Sequence, residues 1–127
     1  MSAPDLQSWL GQVPWSSLAI LAAVIGFLVW SSLRKKGNQK KLQEKIDAGA
    51  LIVDVRSKDE YAGGHFPGAV NIPVDTVAKQ TKKLGAQDRS IVVYCASGGR
   101  SSQAAAILRS AGYTNVTNAG GLSSMPR

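Results

Sequence analysis

The only cysteine of the chain, Cys95, ends an apolar run and is followed by small residues, in the sequence "YCASGGRSS". A structural cysteine would more simply lie inside the apolar run, where its thiol is inert. At the end of a strand, the same thiol becomes a nucleophile if its pKa is lowered and the thiolate forms. Arg100 lies close behind it and supplies a fixed cation for a doubly charged oxyanion. We therefore take Cys95 as the candidate nucleophile.

The residues after Cys95 are suited to form a ring of backbone amides. Ala96–Ser101 lead from the apolar run into a helical pattern, so the thiol would face the positive end of a helix. Backbone N–H groups curl around an anion only where side chains are small, and Gly98 and Gly99 permit this. The alternative, a buried cysteine beside a glycine turn, leaves the glycine pair and Arg100 unexplained.

The counts of possible ligands exclude several other kinds of chemistry. A single cysteine forms no internal disulfide, no C-x-x-C redox pair and no thiolate metal cluster. His65 is the only histidine, so a zinc site would lack ligands. A free thiol also suits a reducing compartment.

Short apolar runs alternate with helical patterns over the second part of the chain. The predicted strands are Leu51–Val55, Ala69–Pro73, Ser90–Cys95 and Asn115–Ala119. The predicted helices are residues 40–49, a short helix capped by Ser57 and Glu60, residues 76–85 and residues 101–112. Such alternation predicts an α/β domain with a parallel sheet and helices on both faces. Ligands of such sheets bind at the carboxyl ends of the strands, where Cys95 lies.

A long uncharged stretch precedes this domain. Trp15–Leu33 would span roughly 28 Å as a helix, close to the ~30 Å hydrocarbon thickness of a bilayer. Trp15 and Trp30 near its ends fit interfacial anchors. We therefore predict a transmembrane helix at 15–33. The rival interpretation, a cleaved signal peptide, would need a basic stretch before the run and a small-x-small site after it, and the sequence has neither.

Basic residues are concentrated directly after the predicted span. Arg34–Lys45 carries +5 of the formal net charge of +7. By the positive-inside rule, this linker (34–45) and the domain after it (46–127) are cytoplasmic, and residues 1–14 lie outside a bacterial-type inner membrane. The cluster also suits anionic lipid headgroups, although a topology signal on a solvated linker explains it equally well. No basic patch with interleaved aromatics follows, so nucleic acid is not an expected partner.

Three separated segments resemble the single-domain rhodaneses, sulfurtransferases that carry sulfur as a cysteine persulfide. "LIVDVRSKDEYAGGHFPGAVNIP" is similar to the N-terminal signature of that family, "IVVYCASGGRS" to its active-site loop, and "AGYTNVTNAGGL" to its closing strand and turn. The ending "NAGGLSSMP" is most similar to the small phage-shock-E-type members. The resemblance implies a three-layer α/β domain with a four- to five-stranded, mostly parallel sheet, here preceded by one transmembrane helix.

The resemblance also implies a role for each residue of the loop. Cys95 would accept sulfur from thiosulfate or another sulfane-sulfur donor and pass it to cyanide, a thiol or a protein acceptor, with no cofactor beyond the persulfide. Arg100 would help to bind the donor. Helix capping is the simpler role for Ser101, although its hydroxyl also suits the persulfide. The residues expected to bind the persulfide or substrate are Ala96, Ser97, Gly98, Gly99, Arg100 and Ser101.

Four residues of the N-terminal signature are expected to support the site: Asp54, Arg56, Glu60 and His65. We expect Arg56 to form a buried ion pair with a nearby acid rather than to bind substrate. His65 is expected to be a hydrogen-bonding turn residue rather than a general base, because a preformed thiolate needs little proton transfer.

Two alternative functions would require different properties of the loop after Cys95. Phosphatases and arsenate reductases of similar fold have five residues between cysteine and arginine, whereas this chain has four, a smaller ring that suits one sulfur atom. The second rival is a membrane-tethered binding or sensing module with little turnover. The presence of the cysteine, the glycines and the arginine favours chemistry.

Overall fold

A computed structural model describes Gly11 and residues 13–127. Their contacts divide the chain into two units, one ending at Lys36 and the other comprising Gly37–Arg127. The helices are α1 (Trp15–Asp47), α2 (Lys58–Ala62) and α3 (Gly99–Ser110), and the strands are β1 (Leu51–Asp54), β2 (Val70–Asn71), β3 (Ile91–Cys95) and β4 (Val116–Gly121). Three 3₁₀ helices complete the described part: Val74–Lys79, Thr81–Leu84 and Leu122–Ser124.

Helix α1 is long enough and apolar enough to cross a membrane. None of its most apolar window is buried inside the molecule, and side chains such as Ile20 and Phe27 are about two-thirds exposed, at 65% and 64%. A core helix of a soluble domain would bury such side chains. The predicted outer segment, residues 1–14, lies largely outside the described residues.

The structure does not separate the predicted span, linker and first domain helix. Instead, α1 continues unbroken through Gly37 to Asp47. A single glycine inside a helix costs only about 1 kcal/mol, and the lysines, glutamines and leucine after it are good helix formers. The predicted end at Gly49 is confirmed, since this residue has φ +93° and its amide donates to Ile46 O.

The four strands form one parallel sheet in the order β2-β1-β3-β4. The predicted α/β class and parallel pairing are confirmed, and the sheet has four strands rather than five. A register shift between Val93 and Tyr94 interrupts the pairing of β3 with β4. It brings Cys95 opposite Gly121, at the carboxyl edge of the sheet.

Side chains of β3 alternate between two apolar clusters, as expected for a strand covered on both faces. Ile91, Val93 and Cys95 join the cluster that α3 and the first two 3₁₀ helices cover. Val92 and Tyr94 join the other cluster, with Leu42 from the end of α1 and Met125. The three predicted layers are therefore present in the second unit.

The helix predicted over residues 76–85 is wrong in type. Two 3₁₀ helices occupy this stretch, with bonds such as Gln80 N to Val77 O. Val77 and Leu84 are each buried, while the Tyr113 hydroxyl donates to Thr81 O at 2.7 Å. The segment is thus fixed at separate points against the core, which favours two tight turns over one continuous α-helix.

Candidate active site

Cys95 is the last residue of the central strand β3 and is only 1% exposed. The chain turns directly after it through Ala96 and Ser97, both exposed, and enters α3 at Gly99. The Gly98 amide donates to Cys95 Sγ at 2.9 Å. The thiol therefore lies beneath a tight loop, at the N-terminal end of a 12-residue helix, where the helix dipole favours negative charge.

Several hydrogen bonds act on the acidity of the Cys95 thiol. Burial raises its pKa, but hydrogen bonding by the Ser101 hydroxyl and by the amides of Ser101, Gly98 and Ser97 outweighs this effect and lowers the pKa to about 7. Near neutral pH, a large fraction of the thiol is therefore ionised. Of the amides that the sequence predicted to surround the sulfur, that of Gly98 lies within hydrogen-bond distance of Cys95 Sγ, at 2.9 Å.

Ser101 is fully buried and directly contacts the cysteine. In the thiol form, Cys95 Sγ donates to Ser101 Oγ at 3.4 Å, and the Ser101 hydroxyl donates to Gly98 O at 3.0 Å. The capping role expected of Ser101 is wrong. Gly98 is the N-cap of α3, and Ser101 is already inside the first turn. Its position against the sulfur explains why a buried hydroxyl is placed there.

The two glycines of the loop are not equivalent. Gly98 has φ +106°, a left-handed conformation that other residues adopt at a cost of about 1–2 kcal/mol. Gly99 has an ordinary φ, and a Cβ placed on it would meet nothing within 4 Å. Both glycines permit the tight loop, as expected, but the backbone conformation requires a glycine only at Gly98.

A glycine of the last strand is more tightly packed than either glycine of the loop. A Cβ on Gly121 would lie 2.5 Å from Ala96 O and 3.5 Å from Ser97 Cα. Real Cβ atoms do not approach a carbonyl oxygen so closely, so any side chain at Gly121 must displace the loop. Sequence reasoning on the loop alone missed Gly121, although the "AGGL" segment contains it.

Asp54 and Arg56 form the buried ion pair that we expected of Arg56. Arg56 Nη2 lies 2.7 Å from Asp54 Oδ2, and Arg56 Nε contacts both carboxylate oxygens at 3.1 Å. Burial raises the pKa of Asp54, but the hydrogen bonds from Arg56 outweigh it and hold this pKa below its ordinary value. Arg56 Nη2 also donates to Gly64 O. The pair therefore joins the end of β1 to the turn after α2.

Two residues of this network were not predicted. The Tyr94 hydroxyl donates to Asp54 Oδ2 at 2.7 Å and accepts from the Phe66 amide at 2.9 Å. Asn71 Nδ2 donates to the carbonyls of Asp54 and Arg56. Tyr94 carries a hydroxyl directly before the nucleophile in an otherwise apolar strand, and this position could have indicated its role in the network. Nothing in the sequence pattern marked Asn71.

Glu60 and Arg100 form the second ion pair of the site. The two guanidinium nitrogens of Arg100 contact the two carboxylate oxygens of Glu60 at 2.5 and 3.0 Å. The bond from Arg100, followed by the Ser57 cap, lowers the pKa of Glu60 to about 2. Both side chains remain more than one-third exposed, at 38% and 37%. The predicted helix cap is also confirmed, since the Ser57 hydroxyl accepts from the Glu60 amide.

His65 has the hydrogen bond expected of a turn residue. Its Nδ1–H donates to Tyr61 O at 3.0 Å, and its ring stacks on the Tyr61 ring with 3.7 Å between centroids. His65 also lines an open cavity of about 590 Å³, together with Arg56 and Ala96. Within residues 13–127, the structure places no group of three or more His, Cys, Asp or Glu side chains that would hold a metal ion.

Comparison with known proteins identifies the family. Residues 38–124 match the rhodanese-like domain. YqhL of Bacillus subtilis is 37% identical over 105 residues, which cover 80% of this chain and 82% of that protein. The thiosulfate sulfurtransferase PspE of Escherichia coli is 41% identical over 71 residues, covering 55% of this chain and 68% of that protein.

The solved structures show the same relationship. A rhodanese from E. coli, determined with anions, superposes with a TM-score of 0.58 at 38% identity and covers 61% of this chain and 95% of its own. The chain therefore belongs to the rhodanese family, as its three sequence segments predicted. Its second unit has the rhodanese fold.

Proposed function

We propose that this protein is a membrane-anchored rhodanese-type sulfurtransferase that carries sulfur as a persulfide on Cys95. The observation that carries the proposal is the hydrogen bonding of Cys95 Sγ, by the Gly98 amide at 2.9 Å and the Ser101 hydroxyl at 3.4 Å, which helps to lower the pKa of the thiol to about 7. A thiolate is the form of cysteine that attacks sulfur. Membership of a family with members named as sulfurtransferases supports the same conclusion.

With thiosulfate as donor, the reaction balances without any cofactor. The Cys95 thiolate attacks the outer sulfur, a new S–S bond forms, and the S–S bond of thiosulfate breaks. Sulfite leaves with the electron pair of the broken bond, and the cysteine holds a persulfide anion. An acceptor such as cyanide or a thiolate then attacks the outer sulfur of the persulfide and restores the Cys95 thiolate. Backbone amides that bind the thiolate are equally suited to its persulfide, since both are anions.

The decisive experiment is mass spectrometry of the purified full chain in detergent after treatment with thiosulfate. We expect a mass increase of one sulfur atom, located on Cys95 and removed by cyanide. Cys95→Ser is the matched control, because a hydroxyl has nearly the same size but is not ionised near neutral pH. A wild-type protein that folds and gains no sulfur from thiosulfate, an organic thiosulfonate or a persulfide would instead indicate a binding or sensing module.

We further propose that α1 anchors the domain at the cytoplasmic face of a bacterial inner membrane. The exposed apolar side chains of α1 support its role as a membrane anchor. The basic cluster after Leu33 supports the orientation. The Arg34 guanidinium lies 4.8 Å from the Trp30 ring centroid, and this aromatic–cation pair suits the headgroup region.

Orientation is best tested on an exposed cysteine, because Cys95 itself is buried. Gln103→Cys in a Cys95→Ser background places a single thiol on the exposed face of α3. A membrane-impermeant maleimide should label this variant only after the cells are permeabilised. Labelling of intact cells would show that the proposed orientation is reversed.

A further inference from the structure

Each arginine beside the catalytic loop has its own carboxylate. Arg56 is paired with Asp54 and Arg100 with Glu60, in both cases through more than one hydrogen bond. Arg100 also lines an open groove of about 420 Å³ beside the loop, where Lys58 and Asp75 supply one charge of each sign. The guanidinium placed to meet a donor is therefore electrically neutralised before any donor arrives.

This arrangement is unexpected for a site that binds a dianion. Thiosulfate carries two negative charges, and a free arginine would attract it more strongly than an arginine whose charge is cancelled. The Glu60 carboxylate, more than one-third exposed and in direct contact with Arg100, also repels an anionic donor that approaches this arginine. Donors with a single negative charge, such as organic persulfides and thiosulfonates, lose less from this repulsion.

We propose that Glu60 is a specificity-determining residue that disfavours dianionic sulfur donors relative to donors with one negative charge. The inference rests on the proposed sulfurtransferase function and deepens it by naming the class of donor. The same carboxylate holds Arg100 in place, so both roles must be separated by experiment. A purely structural role would change the use of all donors alike, whereas a charge role depends on the charge of the donor.

Two small donors that differ by one charge provide the test. Thiosulfate is a dianion, and methanethiosulfonate, in which a methyl group replaces one oxygen, is a monoanion of nearly the same shape. In both, the Cys95 thiolate takes the outer sulfur, and sulfite or methanesulfinate leaves with the bonding electron pair. The measurement is the second-order rate constant for loading Cys95 in the full chain, by rapid quench and mass spectrometry.

The informative variant is Glu60→Gln, which removes the charge and keeps an oxygen that accepts from Arg100. We expect the loading constant for thiosulfate to rise about fivefold more than that for methanethiosulfonate. A fivefold effect corresponds to one unit charge at about 4 Å in water, the contact distance of an ion pair, and it should shrink at high salt. Asp59→Asn is the matched control, since Asp59 is an exposed acid on the same helix without a bond to Arg100. It should change the ratio of the two constants by less than about twofold.

Two results would overturn the inference. In the first, Glu60→Gln leaves the ratio of the two constants unchanged, even if both constants fall by the same factor. In the second, Glu60→Gln changes this ratio no more than Asp59→Asn does. In each case, the transfer of sulfur to Cys95 in the wild-type protein would still support the proposed sulfurtransferase function. If the wild-type protein takes sulfur from neither donor, the proposed function itself fails and the inference fails with it.

Discussion

Replacing Gly121 with alanine should open the ring of amides around Cys95, although the substitution adds only one methyl group. The new Cβ would lie 2.5 Å from Ala96 O, well inside contact distance, so the loop or the end of β4 must shift. Overpacking of this kind costs about 1–3 kcal/mol of unfolding free energy. Gly99→Ala is the matched control, because its Cβ would meet nothing within 4 Å and Gly99 has no unusual φ. We expect this control to be neutral or slightly stabilising.

The effect on chemistry should exceed the effect on stability. A shift of the Ala96 carbonyl moves the amides that follow it, and the pKa of Cys95 rises from about 7 toward its ordinary value of 9.0. At pH 7, the ionised fraction then falls from about one-half to as little as about one-hundredth, so loading slows by up to about fiftyfold.

Both effects can be followed on the full chain in detergent micelles. Thermal unfolding monitored by near-ultraviolet circular dichroism reports stability, and thiolate absorbance against pH reports the pKa of Cys95. If Gly121→Ala keeps the wild-type pKa and loading rate, the loop does not depend on close packing against β4. If Gly99→Ala is as damaging as Gly121→Ala, the assignment of the two glycines is wrong.

Three further perturbations test other parts of the site. Sulfur loading should rise with pH and be half-maximal near pH 7, the pKa of Cys95. Ser101→Ala should move this profile to higher pH, and an unmoved profile would show that the hydroxyl does not stabilise the thiolate. Asp54→Asn should lower the unfolding free energy by about 3–5 kcal/mol, measured by urea denaturation, because it leaves Arg56 buried without its partner. The pKa of Asp54 is lowered in the folded state. The stabilisation that its carboxylate provides is therefore present above the ordinary aspartate pKa and is lost as the pH falls through the pKa of Asp54 in the folded protein. A pH-independent difference in unfolding free energy between Asp54→Asn and wild type would contradict this. A glycine inserted after Gly98 should widen the ring of amides and reduce sulfur loading of Cys95 at least roughly tenfold. Phosphate should protect the thiol of this variant from alkylation more strongly than it protects the wild-type thiol. Unchanged loading would refute the argument that the loop is sized for one sulfur atom.

Elements defined by local patterns were predictable from the sequence. The strands around Leu51–Asp54 and Ile91–Cys95 are continuous apolar runs, and the cap at Ser57 follows a pattern only a few residues long. The nucleophile was predictable for the same reason, since Cys95 and its loop are contiguous in sequence. Residues 74–84 were harder, because their two 3₁₀ turns depend on separate contacts with the core.

Features that depend on distant residues were not predictable in the same way. The Glu60–Arg100 pair joins residues 40 positions apart, and no local pattern indicates that this acid contacts this arginine. The close approach of Gly121 to Ala96 depends on the register shift between β3 and β4, which periodicity does not reveal. Local sequence therefore located the reactive group, whereas the tertiary contacts determine its acidity and electrostatic surroundings.

The position of β4 has a consequence for the biosynthesis of the protein. Gly120 O accepts from Ser101, and Gly121 packs against Ala96, so the loop around Cys95 is complete only when β4 has joined the sheet. On the ribosome, Cys95 is made before β4, and a domain of this kind folds as a unit. Until then, the cysteine is an ordinary thiol that is mostly protonated at neutral pH. The lowered pKa of Cys95 is therefore acquired only once β4 has joined the sheet and the fold that encloses the thiol has formed.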